Sequence, residues 1–178
     1  MKSSLTYKVC LSGIFASFAL LSFVLESLFP PIILPGVRLG ISNVFILVTA
    51  ILVGNVYAYA VLVVKVILGS LFAGNISSII YSLPAGLVSL TIEIILLKCS
   101  RYFSVVSIST LGSVINVLTQ NVTFCLVTNT AEYLCYSPYL AILGIVSGVL
   151  VGFAVFLLVR YFPKKLAKKM LYLSKENL

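Results

Sequence analysis

The fold of this chain is decided by an apolar stretch near its end, residues 138–162, which reads PYLAILGIVSGVLVGFAVFLLVRYF. Its only charged residue is Arg160, close to the end of the stretch. The hydrocarbon core of a bilayer is about 30 Å thick, so a helix of roughly 20 apolar residues crosses it. The stretch is therefore predicted to be a transmembrane helix.

The remainder of the sequence also has the composition of a membrane protein. Hydrophobic residues make up 61% of the 178 positions and charged residues 9%, whereas soluble domains carry about 25% charged residues. Five earlier apolar segments are predicted to be helices, and the second of them is short for a span. They cover residues 5–29, 40–53, 56–72, 77–97 and 105–127.

These segments predict an all-α membrane protein with six transmembrane helices. The transmembrane domain is expected over residues 1–163, and a basic cytoplasmic tail over residues 164–178. Cytoplasmic loops of membrane proteins carry an excess of Lys and Arg. With both chain ends in the cytoplasm, all 12 basic residues except Arg38 and Lys65 fall on that side. We therefore expect a multi-pass protein of the cell membrane, whose basic tail contacts anionic lipid headgroups rather than nucleic acid.

Composition also limits the chemistry available to the chain. There is no His, the commonest general base and metal ligand, and there are only four acidic residues. None of the four cysteines forms a CxxC pair, and no GxxxxGK[ST] or GxGxxG loop is present. We expect no catalytic site, no metal and no cofactor, and therefore not an enzyme. A protein of this kind that moves a solute against a gradient needs energy from a partner or from an ion.

The two basic residues that do not fall on the predicted cytoplasmic side indicate a binding site. Arg38 lies in the first outer loop, and Lys65 lies in the middle of the third predicted helix. A Lys at the bilayer centre costs about 2.5–3.5 kcal/mol on insertion scales, so a carboxylate, a water-filled cavity or an anionic ligand must compensate for it. Two positive charges favour an anionic ligand.

Most other polar residues at membrane depth fall in the outer half of the predicted bundle. Together with the two basic residues they form the candidate substrate site. Its members are Glu26, Arg38, Asn43, Lys65, Asn75, Ser77, Tyr81, Asn116 and Gln120.

Structural roles for some of these residues remain open. Glu26 can instead form an internal ion pair with Arg38 or Lys65, and Asn116 and Gln120, four residues apart on one helix face, can join helices by hydrogen bonds. Glu93, in the cytoplasmic half of the fourth helix, is expected to pair locally or reach the interface rather than bind a ligand.

Small residues form a second pattern, because they let helices approach closely. Gly144, Gly148 and Gly152 recur every four residues in the last helix, and internal packing is the expected role there. The first helix carries a comparable set, for which we favour docking onto another membrane protein. This set is Ser12, Gly13, Ala16 and Ala19.

The stretch LPGVRLGISN, residues 34–43, resembles the P-G-[KR]-L-G-x-x-N motif with one spacer residue before the basic position. That motif belongs to the Gx transporters, also called heptaprenyl diphosphate synthase component I. The run from Lys65 to Asn75, the later Ser82 and Gly86, and the glycines of the last helix fit the same pattern. The chain departs from it at Lys65, where the pattern has Arg, and at Asn116, where many relatives have His.

This family is similar to the substrate-binding S components of energy-coupling factor transporters. The resemblance implies a six-helix fold and a vitamin-like ligand bound near the outer face. It also implies docking of the first helix on a transmembrane coupling subunit that works with two cytoplasmic ATPases. Two alternatives remain: a membrane scaffold for heptaprenyl diphosphate synthesis, and a stand-alone secondary transporter. The chain lacks the acidic metal ligands that a prenyl diphosphate synthase needs, which does not agree with a synthase. It also shows no internal repeat of the kind that marks many secondary transporters.

Overall fold

The computed structural model describes residues 2–28, 40–99 and 103–161. Within these ranges every secondary-structure element is a helix, which confirms the all-α prediction. The elements are α1 (Lys2–Leu28), α2 (Asn43–Leu52), α3 (Asn55–Phe72), α4 (Ser78–Lys98), α5 (Val105–Thr128), a 3-10 helix (Ala131–Tyr136) and α6 (Ser137–Tyr161). The 3-10 helix is not anticipated from the sequence. Arg38 and the basic tail lie outside the described residues.

Five of the six α-helices are long and apolar enough to cross a membrane. The exception is α2, which has 10 residues and is therefore about 15 Å long at 1.5 Å per residue. That is about half the thickness of a hydrocarbon core. The structure thus supports a multi-pass membrane protein, with five helices of spanning length and one half-length helix among the described residues.

Helix α2 lies inside the bundle, with six of its ten residues buried. Its Val44, Leu47 and Val48 pack against Val151 and Val155 of α6. The backbone N–H of its first residue donates to the carbonyl of Gly40 at 2.9 Å. Gly40 has φ +74°, a left-handed conformation that glycine adopts without strain.

The direction of α2 is opposite to that of α1. Ser42 lies beside Glu26, near the end of α1, whereas Phe45 stacks on Phe18 with ring centroids 5.6 Å apart. The same cluster that surrounds α2 includes Leu97 of α4 and residues from the first turn of α5 and the end of α6. The end of α2, the end of α4, the start of α5 and the end of α6 therefore meet at one end of the bundle.

The glycines of α6 are used for internal packing, as expected. A Cβ atom at Gly148 would lie 2.6 Å from Thr110 Cα, and one at Gly152 would lie 2.7 Å from Val106 Cα. Both neighbours are backbone atoms of α5. Because a backbone cannot move aside as a flexible side chain can, glycine at these positions sets the distance between α5 and α6.

The small residues of α1 do not share one environment. Ala19 is completely buried in the core, Ser12 is buried, and Ala16 packs against the same core. Gly13 is exposed, and a Cβ atom placed there would meet no atom within 4 Å. Within the isolated chain, Gly13 is thus the one member of the predicted docking set on an open face.

Candidate functional site

The centre of the candidate site is Lys65, whose side chain is only 5% exposed. Its Nζ donates a 2.7 Å hydrogen bond to Asn43 Oδ1 and lies 5.6 Å from the centroid of the Phe23 ring. Asn43 is the first residue of α2, so the Gly40 turn that starts this half-length helix also places the amide beside the ammonium. An amide oxygen and an aromatic face both stabilise a buried cation.

Glu26 brings a carboxylate to the same place from the last turns of α1. Its Oε1 accepts a hydrogen bond from the backbone N–H of Ser42 at 3.1 Å. Its Oε2 is buried and forms no hydrogen bond of ordinary geometry within the described residues, although the backbone N–H groups of Gly40 and Ile41 also face this carboxyl group. The carboxyl group of Glu26 also lies within the electrostatic influence of Lys65, and both side chains line the same cavity.

These groups border a cavity of about 30 Å³ that opens between the helices. A water molecule needs roughly 10–15 Å³ measured in this way, so the cavity in this form has room for about two waters. Five of the predicted site residues line it: Glu26, Asn43, Lys65, Asn116 and Gln120. Asn116 and Gln120 form the α5 wall, which faces the charged groups of α1 and α3.

Three other predicted site residues lie outside the lining of this cavity. Asn75 and Ser77 are exposed at the turn between α3 and α4, where the carbonyl of Asn75 accepts from Ser78 Oγ at 2.8 Å. The ring of Tyr81 packs against Phe124, with centroids 5.5 Å apart. Arg38 lies outside the residues that the structure describes.

The cavity also has lining residues that the sequence did not single out as site residues. Four of them, Gly40, Ser42, Ser82 and Gly86, belong to the stretches that carry the family resemblance, so the sequence could have indicated them. The remaining lining residues are apolar, so nothing in the sequence distinguishes them from the rest of an apolar helix. They are Phe23, Leu62 and Val66.

Glu93 lies closer to the site than its position in α4 suggested. It is 8% exposed, and its carboxyl group is in contact with Gly112 of α5, where any side chain would collide with it. The charge of Lys65 acts on Glu93 as well as on Glu26. Glu93 is thus a second buried carboxyl group inside the bundle, outside the lining of the cavity.

An aromatic cluster closes the bundle beyond the α5 wall of the cavity. Phe124, one helical turn after Gln120, contacts both Tyr81 and Tyr133, and the latter ring pair has centroids 5.0 Å apart. Asn121 Nδ2 donates to the carbonyl of Tyr133 at 3.1 Å. These contacts attach the 3-10 helix to α5 and fix the end of the bundle nearest the cavity.

Apolar helices around a buried cluster of ionisable and amide side chains define a multi-pass membrane protein with an internal polar site. The family model described as heptaprenyl diphosphate synthase component I matches residues 15–158, and the chain belongs to that family. The match includes every described residue that lines the cavity. No curated protein and no solved structure matches the chain.

Proposed function

We propose that this protein is the substrate-binding S component of an energy-coupling factor transporter, and that it captures a small vitamin-like or precursor metabolite for uptake. The observation that supports this most is the cavity lined by Glu26, Asn43, Lys65, Asn116 and Gln120. Ionisable residues inside a membrane domain are costly and usually line a substrate or ion pathway. Four helices contribute these five side chains, which is the arrangement expected of a binding site between helices.

The proposed transporter requires partners. The sequence has no nucleotide-binding loop, so energy would come from a transmembrane coupling subunit and two cytoplasmic ATPases. The proposed docking face is the exposed side of α1 around Gly13. Of the other residues predicted for it, Ser12 is buried, and Ala16 and Ala19 pack in the core of the chain itself. Gly13 is the open position of this face in the isolated chain, and the partner would approach most closely there.

The proposed topology has six passes with both ends in the cytoplasm, and α2 belongs to the second pass. Lys98 and Arg160 support it, because they end α4 and α6 at the same end of the bundle. By the positive-inside rule that end faces the cytoplasm. The cavity then lies toward the outer face of the cell membrane.

Two native cysteines test this orientation. Cys99 follows α4 and Cys135 lies in the 3-10 helix, at opposite ends of α5, and both are exposed. In variants that retain one of them and carry Ser at the other cysteine positions, a membrane-impermeant maleimide applied to intact cells is expected to label Cys135. Cys99 is expected to react only after permeabilisation. The opposite labelling pattern would show that the orientation is inverted.

A second candidate is a membrane scaffold for heptaprenyl diphosphate synthesis, which the description of the family favours. Reconstituted synthesis of prenyl diphosphate that depends on this chain would support the scaffold. A third candidate, a stand-alone secondary transporter, predicts solute uptake by liposomes that contain only this chain and an ion gradient.

Co-purification distinguishes the leading proposal from both alternatives. When the tagged protein is extracted from its own membranes in a mild detergent, a transmembrane subunit and two ATPase chains are expected to elute with it. A Gly13→Leu variant is expected to lose them while it still elutes as a monodisperse protein, because its side chain obstructs the open part of α1. Elution of the wild-type protein without any ATPase would contradict the proposal.

A further inference from the structure

Two apolar side chains that line the cavity each lie against a glycine of a neighbouring helix. Leu62 of α3 lies over Gly86 of α4, and Phe23 of α1 lies over Gly69 of α3. A Cβ atom at Gly86 would be 2.7 Å from Leu62 Cδ1, and one at Gly69 would be 2.7 Å from Phe23 Cε1. Non-bonded carbon atoms normally stay about 3.5–4.0 Å apart, so each glycine leaves space that the neighbouring side chain occupies.

The two contacts differ in what could move. At Gly69, an added Cβ would meet three atoms of the Phe23 ring, Cγ, Cδ1 and Cε1, and a ring moves only as a whole. At Gly86, the nearest atoms are Cδ1 and Cδ2 of Leu62, the methyl groups at the end of a flexible side chain. A change of rotamer moves these methyl groups without moving either helix. Leu62 is therefore the adjustable part of the apolar wall.

The cavity is the space into which Leu62 could turn. Leu62 is only 2% exposed and belongs to a cluster of buried residues that includes Val61, Val66 and Leu90. Such interiors are close-packed and leave few voids larger than a water molecule. The cavity is a void of this kind, and both Leu62 and Gly86 border it. If the space at Gly86 were filled, the Leu62 methyl groups would have to enter the cavity.

The size and lining of the cavity limit what can enter it. Its volume of about 30 Å³ has room for about two waters, so one methyl group turned into it would remove a large part of the space. Amide and hydroxyl groups of Asn43, Ser82, Asn116 and Gln120 contribute to its lining. These groups can both donate and accept hydrogen bonds. The cavity therefore suits a group that is both small and polar.

We propose that the cavity accepts only a small polar end of its ligand, of about two or three non-hydrogen atoms, and that Leu62, seated against Gly86, sets this size limit. This inference rests on the proposed function and specifies the substrate class of its site. Bulkier parts of the ligand remain toward the opening between the helices. One methylene more or less in a fitted pocket changes affinity about 10–200-fold, so substitutions at Leu62 and Gly86 are expected to change selectivity on that scale.

Two probes test the inference: formamide and pivalamide, which share one amide group and differ by a tert-butyl group. Their dissociation constants would be measured by ligand-observed NMR on the purified protein in lipid nanodiscs, with empty nanodiscs as the reference. Leu62→Ala is expected to raise the affinity for pivalamide relative to formamide by about tenfold or more, because it removes the wall that limits size. Leu90→Ala is the matched control, since Leu90 is equally buried in the same cluster but does not line the cavity. It is expected to leave the ratio unchanged.

Gly86→Ala gives the opposite test. It is expected to weaken formamide binding by about tenfold or more, because the Leu62 methyl groups turn into the cavity. The double variant Gly86→Ala/Leu62→Ala is expected to restore formamide binding, since no methyl group is left at position 62 to be displaced. General damage to the fold would not be repaired by a second substitution. Gly13→Ala, where the added Cβ meets no atom within 4 Å, is expected to bind formamide as the wild type does.

Other outcomes overturn the inference in distinguishable ways. If the wild type binds formamide but Leu62→Ala changes the ratio no more than Leu90→Ala does, Leu62 does not set the size limit, and the binding function itself stands. The same comparison decides if Gly86→Ala does not elute as a folded protein. If formamide does not bind the wild type, the inference fails. The proposed function then fails with it only if mass spectrometry of the same preparation also finds no retained small molecule.

Discussion

Replacement of Lys65 by Met is expected to reduce the small molecule that co-purifies with the protein by at least about tenfold, since charge-assisted hydrogen bonds contribute about 1.5–3 kcal/mol. The Met side chain keeps most of the volume of the Lys stem but cannot donate to Asn43 Oδ1 or to a ligand. The measurement is quantitative mass spectrometry of small molecules released from equal amounts of each purified variant.

Two control variants make this prediction specific. Lys98→Met removes an exposed Lys at the end of α4 and is expected to retain the wild-type amount of small molecule. Lys65→Arg keeps the charge and is expected to retain part of it, because the guanidinium has a different shape. All three variants should elute as monodisperse proteins. Equal retention by Lys65→Met and the wild type would remove Lys65 from the binding site.

Replacement of Gly148 by Ala is expected to destabilise the protein by about 1–3 kcal/mol, the usual cost of overpacking a tight interior. The added Cβ would lie 2.6 Å from Thr110 Cα and 3.0 Å from Ser109 O, both backbone atoms of α5. The two helices would have to separate along the interface set by the α6 glycines. The measurement is the free energy of unfolding in mixed micelles as SDS is added.

Gly13→Ala is the matched control for this substitution. It lies on α1 where a Cβ meets no atom within 4 Å, and Ala is more favourable than Gly in a helix by up to about 1 kcal/mol. Gly13→Ala is therefore expected to be neutral or stabilising. If Gly148→Ala were equally neutral, α5 and α6 could not be packed as closely as the structure has them.

The helices of this protein are predictable because membrane insertion imposes a simple rule on sequence. Long apolar segments must satisfy their own backbone hydrogen bonds, so hydropathy alone locates them. For α5 the prediction and the structure both begin at Val105, and the ends differ by one residue. The half length of α2 was harder to predict, because the apolar run before Gly54 does not show at which residue the helix starts. That start depends on the Gly40 turn and on packing against α6.

The polar half of the site was predictable for a related reason. Lys65, Glu26 and Asn116 are conspicuous in apolar helices because lipid cannot solvate them. The burial of Glu93 was not predictable, because it depends on the closeness of α4 and α5 at Gly112. Likewise, no sequence pattern identifies Phe23 as the ring beside the Lys65 ammonium, since that contact depends on how α1 and α3 are aligned.

The small-residue patterns show the same limit. The glycines of α6 and the small residues of α1 have similar spacing, and spacing predicts a close approach without specifying the partner. In α6 the partner is α5, as the backbone contacts of Gly148 and Gly152 show. In α1, Ala19 faces the core of the chain and Gly13 faces outward. A helix with small residues on two sides can pack internally and still leave an open face.

The central claim is that the cavity around Lys65 binds a small metabolite. Native mass spectrometry of the wild-type protein, extracted from its own membranes in a mild detergent, tests it most directly. The expected result is a peak heavier than the bare chain by the mass of one small molecule, with that peak absent from Lys65→Met and present in Lys98→Met. A wild-type spectrum that contains only the bare chain and lipid adducts shared by all three proteins would contradict the claim.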